Sequence, residues 1–292
     1  MKSLIVLISN PAAAKASNRK TELACRCLRN KGHEVESVFT RQRGEAESIA
    51  RDALGKNPSL IIAAGGDGTF NEVMNGMAGS NVPMAILPLG TTNVLAKELG
   101  IPEHMEKALD RATGGRPKVV SLGRITVSEP PARRYFCLMA GIGFDGAVVH
   151  GISERLKRIS GKGAYIYSGM KTLLLLDLED LRLTVDGEQY SGRSAIIGKS
   201  SKYGGNFRVA PGASLNDPNL YVCIFRGKRR IDVLRYVLGV VTGRHTSFED
   251  VEYKKAAVVE VRGVAHAQID GDYLGMTPAT IEVAPDILRL VY

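Results

Sequence analysis

At 292 residues the chain is longer than one ordinary domain and comfortable for two, and a hydrophobic content of 44 % supplies a sizeable core. Lys and Arg outnumber Asp and Glu by 39 to 30, for a formal charge of +9, which points to acidic partners such as a nucleotide or an anionic lipid surface. Aromatics at 6 %, the lack of Trp and the absence of a familiar nucleic-acid motif argue against nucleic acid, and no apolar run nears the ~18 residues of a membrane span.

The chain opens on a strand-like run at 3–8, with no charged, apolar and cleavable signal pattern, so a cytoplasmic protein with only peripheral membrane contact is expected. Helices are predicted at 17–30, 44–55, 69–78, 91–99 and 103–113, alternating with strands at 34–39, 59–64 and 83–87. This βαβα order implies an open, mainly parallel sheet with helices on both faces. A strand near 118–127 leads out of the domain, and Ser128-Glu129-Pro130-Pro131 is a turn. The pattern then changes to strand-like runs at 134–140, 181–186, 194–199, 220–225, 257–262, 265–270 and 280–283, interrupted by helices that include 162–176 and 230–241. The expectation is an α/β domain over 1–126 and a β-rich, sandwich-like domain over 127–284, with 285–292 free to return to the first and the active site in a cleft between them. Cysteines 25, 27, 137 and 223 lack metal-ligand spacing and read as reduced thiols.

Two turns carry the chemistry. After the strand at 59–64 come Gly65-Gly66-Asp67-Gly68-Thr69-Phe70-Asn71 and helix formers. Glycines at a strand-to-helix turn bring backbone N–H groups close to a polyphosphate, and the helix N-terminus adds partial positive charge. Asp67 among those donors would repel a phosphate unless a cation, most simply Mg²⁺, lay between them. After the strand at 83–87 comes a second turn of this kind, Pro88-Leu89-Gly90-Thr91-Thr92-Asn93. Both turns can sit at the carboxyl edge of one parallel sheet, where open α/β sheets bind ligands.

GGDGTFNEV at 65–73 and PLGTTNVLAKELG at 88–100 resemble the catalytic domain of the diacylglycerol kinase family, most nearly its soluble bacterial lipid kinases, within the superfamily that includes the NAD kinases. Ser9-Asn10-Pro11, Gly141-Ile142-Gly143-Phe144-Asp145, Ala210-Pro211 with Asn216-Asp217, and Asp270-Gly271-Asp272 resemble further motifs in the same order. The resemblance implies ATP and Mg²⁺ as cofactors, a lipid hydroxyl as acceptor and an anionic membrane surface as the place of work; a homodimer stays open. It assigns nucleotide contacts to Asn10, Thr40, Gly65, Gly66, Asp67, Gly68, Thr69, Asn71, Thr91 and Asn93, with Asp67 also on the metal. Asp270 is the first choice for the general base and Asp272 the second. Ser214, Asp217 and Asn219 match a loop that holds a second, structural Mg²⁺ in some relatives. An ordinary cap or turn is the alternative reading at each of these positions.

The chain departs from the family at Val94 and Ser121, where many bacterial relatives carry aspartates near the catalytic metal. Either Asp145 or the Asp270/Asp272 pair substitutes, or activity is low, or the chain is a nucleotide- or lipid-binding regulator. An NAD kinase-like small-molecule kinase is a further alternative, but 88–100 does not resemble that family's next motif. Gly141 to Gly146 fits GxGxxG without a Rossmann context. Gly198-Lys199-Ser200 looks like the end of a P-loop, with Arg193 where the first glycine belongs. The basic run 226–230, and Arg155, Lys157, Arg158 and Lys162 around Ile159 and Tyr165, read as solvated turns or as contacts to anionic lipid.

Overall fold

A computed structural model describes residues 3–13, 16–151 and 179–292, in two units. The first comprises Met1–Ser121 and Pro285–Tyr292, the second Leu122–Ala284. The helix expected at 162–176 and the cations at 155, 157, 158 and 162, with Ile159 and Tyr165, lie outside the described residues.

The first unit alternates β1 (Leu4–Ser9), α1 (Asn18–Asn30), β2 (Glu34–Phe39), α2 (Glu45–Leu54), β3 (Leu60–Gly65), α3 (Asp67–Met77) and β4 (Met84–Pro88), followed by α4 (Val94–Glu98) and α5 (Met105–Gly114). Its strands are parallel, in the order β4-β3-β1-β2. β3 is buried along its whole length and reads as a continuous apolar run, as a strand covered on both faces must. α1 turns Thr21, Ala24, Cys25 and Leu28 inward, one helical stripe, and Ser17 caps it by accepting the Lys20 N–H at 3.2 Å. From β1 the chain runs out to β2 and then back across to β3 on the other side. That reversal makes the carboxyl ends of β1 and β3 the switch point of the sheet.

β5 (Pro117–Glu129) carries the chain into the second unit. There β6 (Pro131–Phe136), β7 (Met139–Ile142), α6 (Phe144–His150), β8 (Leu181–Val185), β9 (Glu188–Gly192), β10 (Ser194–Gly198), β11 (Lys202–Tyr203), β12 (Phe207–Arg208), β13 (Leu220–Phe225) and α7 (Arg230–Thr242) follow in turn. A 3-10 turn at His245–Ser247 leads to β14 (Val251–Ala256), β15 (Val258–Arg262), β16 (His266–Ile269) and β17 (Asp272–Val291). One layer runs β14-β13-β10-β7-β16 and takes up the start of β17. The other is built from β9, β8 and β15, with the middle of β17 beside β15 at Val258↔Glu282. Ile142, Ile197, Val222 and Ile224 of the first layer share one buried core with Leu183, Val185, Val259 and Ile281 of the second. That is a sandwich, joined by the long strand β17.

Three departures from the sequence expectation have physical reasons. The strand expected at 134–140 breaks between Phe136 and Met139, because the backbone N–H groups of 137–139 turn to a side chain described below. Strands β6 and β9 carry charged or polar residues, pair among the described residues only with β5 and β8 respectively, and so lack a buried-face pattern. The helix expected from 91 starts at Val94, because Asn93 adopts a left-handed conformation at φ 48°.

Candidate active site

At the carboxyl edge of the first unit's sheet, the two glycine turns lock together. A Cβ on Gly90 would stand 2.5 Å from the Gly66 Cα, so the loops touch backbone to backbone and only glycine fits. Asn93, 1 % exposed, closes its turn by accepting the Gly90 N–H and donating to the Gly90 carbonyl, both at 3.0 Å. Asp67 reaches across and accepts the N–H groups of Val94 and Leu95 at 3.0 Å each, capping α4. Burial pushes its carboxyl above the usual carboxylate range, while the Leu95 and Val94 N–H groups and the charge of Lys97 pull the other way. At Val94 the chain contributes its backbone N–H to this contact.

Asn10, at the end of β1, donates to Thr69 Oγ at 3.3 Å and accepts the Ala12 N–H at 3.0 Å. The loops after β1 and β3 are thereby joined at the switch point. Thr69 is buried against Gly65, where a Cβ would meet its Oγ at 2.5 Å. Asn71, also buried, accepts from Asn75 at its main-chain and side-chain oxygens. Thr40 follows β2 and donates its N–H to the Ser9 carbonyl at 2.9 Å, while Thr91 is exposed on the second turn. The sequence reading missed Glu72. It accepts the N–H groups of Gly44 and Ala46, at 2.9 and 3.2 Å, and so caps α2 from α3. The Gly66-Asp67-Gly68-Thr69 turn presents the start of α3, whose first N–H groups have no partner within the helix. A phosphate fits such a donor set.

In the second unit, Asp270 sits at φ 49° between β16 and β17. Its Oδ1 accepts the N–H groups of Leu138 and Met139 at 2.9 and 3.0 Å, and its Oδ2 the Cys137 N–H at 3.0 Å and the Cys137 thiol at 3.5 Å. The carboxylate thus holds the break between β6 and β7 closed, with its lone pairs engaged. Asp272, half-buried, opens β17 beside it. Asp145 is 6 % exposed and accepts from Gln268 Nε2 at 2.5 Å and from the Tyr203 hydroxyl. Burial pushes its carboxyl above the usual range, against those two hydrogen bonds. Beside it opens a cavity of about 200 Å³ whose walls include Phe144, Ile196, Val209, Phe225, Val233 and Val240. Most of the lining is apolar, and Asp145, Arg193, Ser194 and Tyr203 add polar groups to it.

The loop with Ser214, Asp217 and Asn219 already holds a cation of its own. Lys199, fully buried, donates its ammonium to the carbonyls of Ser214, at 2.9 Å, and Asp217. Burial pulls its pKa down to about 8, against the attraction of Asp217. Burial also works against the charge on Asp217. Hydrogen bonds from Asn219 at 2.6 Å, Lys255 and Tyr221 at 2.8 Å outweigh it and hold the carboxyl at about 2. A second Mg²⁺ would compete with an ammonium for the same carbonyls, so this donor set does not fit one. Among the described residues no three His, Cys, Asp or Glu side chains cluster as metal ligands. The sequence reading missed Lys199, which stands one glycine past the apolar run Ala195 to Ile197.

Comparison with known proteins fits this arrangement. The diacylglycerol kinase catalytic domain matches residues 4–125, and the YegS C-terminal NAD kinase beta sandwich-like domain matches 139–292. A Bacillus subtilis (strain 168) diacylglycerol kinase is 32 % identical over 254 residues, covering 85 % of this chain and 82 % of that protein. A diacylglycerol kinase of Staphylococcus aureus (strain MRSA252) is 31 % identical over 281 residues, covering 94 % and 87 %. A crystal structure of a diacylglycerol kinase from Bacillus anthracis str. Sterne shares the fold, with a TM-score of 0.72 at 19 % identity, covering 100 % of this chain and 97 % of that one. The interlocked glycine turns, the sandwich that follows them and these matches along nearly the whole length establish that the chain belongs to the diacylglycerol kinase family, lipid kinases of the NAD kinase-like superfamily.

Proposed function

We propose that the protein transfers the γ-phosphoryl group of ATP, with Mg²⁺, to a hydroxyl of diacylglycerol or a related membrane lipid, working at the membrane surface from the cytoplasm. The observation that supports the ATP part is the contact of the Gly66 and Gly90 backbones, which sets both turns beside the start of α3, a donor set suited to phosphate. Asn10, Thr69, Thr40 and Thr91 supply polar groups along the same edge. Asp67 would hold the metal, with the nucleotide phosphates completing the shell, since Mg²⁺ is commonly bound by one or two carboxylates plus phosphate oxygens. Bound there, Mg²⁺ would neutralise charge on the phosphates during transfer.

The acceptor's hydrocarbon matches the apolar cavity of the second unit. For the base we take Asp272 before Asp270, because the Asp270 oxygens hold the backbone N–H groups of 137–139. A base must come within about 3 Å of the acceptor hydroxyl and keep a lone pair for its proton. The test is phosphoryl transfer from labelled ATP over a panel of membrane lipids, with and without Mg²⁺. Label on diacylglycerol or a close relative, dependent on Mg²⁺, is expected. Label on NAD alone, or on no acceptor while ATP binds, would overturn the reading.

A further inference from the structure

α7 carries more apolar side chains than a single buried stripe needs, and those on one side face outward. Ile231, Leu234, Val237, Leu238 and Val241 are 62, 43, 50, 60 and 50 % exposed. They fall at i, i+3, i+6, i+7 and i+10, one side of the helix. Single exposed apolar residues are ordinary, but five on one helix face form a patch. Phe207, 42 % exposed, lies with Val237 and Val241 around the cavity. Those two valines therefore line the cavity and meet the outside at once.

The rim of this face is basic. Arg229 is paired with Asp232, Arg235 with Asp250 and Arg226 with Glu252. Lys228 and Arg230 at the start of the helix and Arg244 just past its end are exposed, with no ion-pair partner among the described residues. An apolar stripe with cations at both ends matches an interface that is hydrocarbon below and anionic head groups above. It suits a second copy of this chain less well. A two-fold contact would bring the basic rims together, like charge against like charge.

We propose that the outer face of α7 is the surface on which the protein seats itself on an anionic bilayer, with Val237 and Val241 between the hydrocarbon and the cavity. The passage of an acceptor from bilayer to cavity rests on the lipid kinase reading above; the docking itself does not.

The experiment is co-sedimentation with phosphatidylcholine vesicles, with and without phosphatidylglycerol, at low and high salt. It is run beside phosphoryl transfer to a short-chain, water-soluble diacylglycerol. The variant Ile231→Glu with Leu238→Glu changes two exposed positions that do not line the cavity. Its partition onto phosphatidylglycerol vesicles should fall on the order of 100-fold, while its rate on the soluble acceptor stays that of the parent. Lys228→Glu with Arg230→Glu should weaken binding at low salt by about fivefold or more per charge, and little at high salt. Leu238→Gln, a mild change in a helix, should give a partial loss and guards against misfolding of the double variant. Vesicle binding unchanged in the Ile231/Leu238 variant would overturn the proposal. So would a dimer that dissociates in that variant while vesicle binding persists, since the face would then belong to a second copy. If no lipid is phosphorylated but vesicle binding still falls with these variants, the docking surface stands and the lipid kinase reading fails.

Discussion

Asp270 and Asp272 are two residues apart and identical in chemistry, so only their surroundings can divide the work between them. Asp270→Asn puts an amide where two or more N–H groups need an acceptor, and about 2–3 kcal/mol of stability should be lost. Asp272→Asn should move the thermal midpoint less than Asp270→Asn does and lower kcat by about 10²- to 10⁴-fold. Thermal melts with single-turnover assays check both. An Asp272→Asn enzyme at full rate, beside an inactive but well-folded Asp270→Asn, would return the base to Asp270. Lys199 gives a second prediction. Its ammonium should titrate near 8, read as the ¹³Cε chemical shift, well below the surface lysines. The sign follows from linkage. Folding lowers its pKa from 10.5 to about 8, so the unfolded chain binds more protons between those values. This group's contribution to stability therefore rises with pH from about 8 to 10.5 and is flat below that window. Neither role was legible in the sequence, because both side chains act on backbone atoms, and a backbone N–H or carbonyl looks the same beside every residue type.

At the scale of elements, legibility follows burial. β1, β3 and β4 announce themselves as apolar runs, the last two ending in glycine turns, and the βαβ order gives their parallel pairing. β14, in contrast, reads Val-Glu-Tyr-Lys-Lys-Ala at the edge of its layer, and no run of apolar residues marks it. The turns after β3 and β4 could be read as ligand loops, but not that Asp67 of one caps the helix of the other. Contact between β7 and α6 depends on a glycine. A Cβ at Gly141 would lie 1.9 Å from Asp145 Oδ2 and 2.7 Å from Gln268 Nε2. Gly141→Ala should therefore cost about 3 kcal/mol, at the upper end for overpacking, because the buried acid cannot give way without losing its partners. Denaturant melts should show the midpoint falling without a change in slope. A neutral result would mean that α6 shifts freely.

Taken as a whole molecule, the chain leaves its first unit at Ser121 and returns to it at Pro285. The returning segment pairs Leu290 with Met84 and buries Leu288, Leu290 and Val291. Each such side chain is worth about 1.5–3 kcal/mol, against a total stability of about 5–15. Truncation after Ala284 should thus unfold the first unit, seen as lost protection of β3 and β4 in hydrogen exchange. Persistence of that protection would show that 1–121 folds on its own.

The ammonium of Lys199 has a further consequence. A loop tied together by a divalent ion comes apart when the ion is stripped away, whereas a loop tied by a covalently attached charge cannot be. EDTA should accordingly stop phosphoryl transfer while leaving the melting temperature unchanged, and Lys199→Met should lower it by about 1–3 kcal/mol worth of stability that added Mg²⁺ does not restore. A melting point that tracked the chelator would show the protein leaning on dissolved metal for its shape. The expectation is that starvation for magnesium silences this chain without dismantling it, so that activity returns as soon as the ion does.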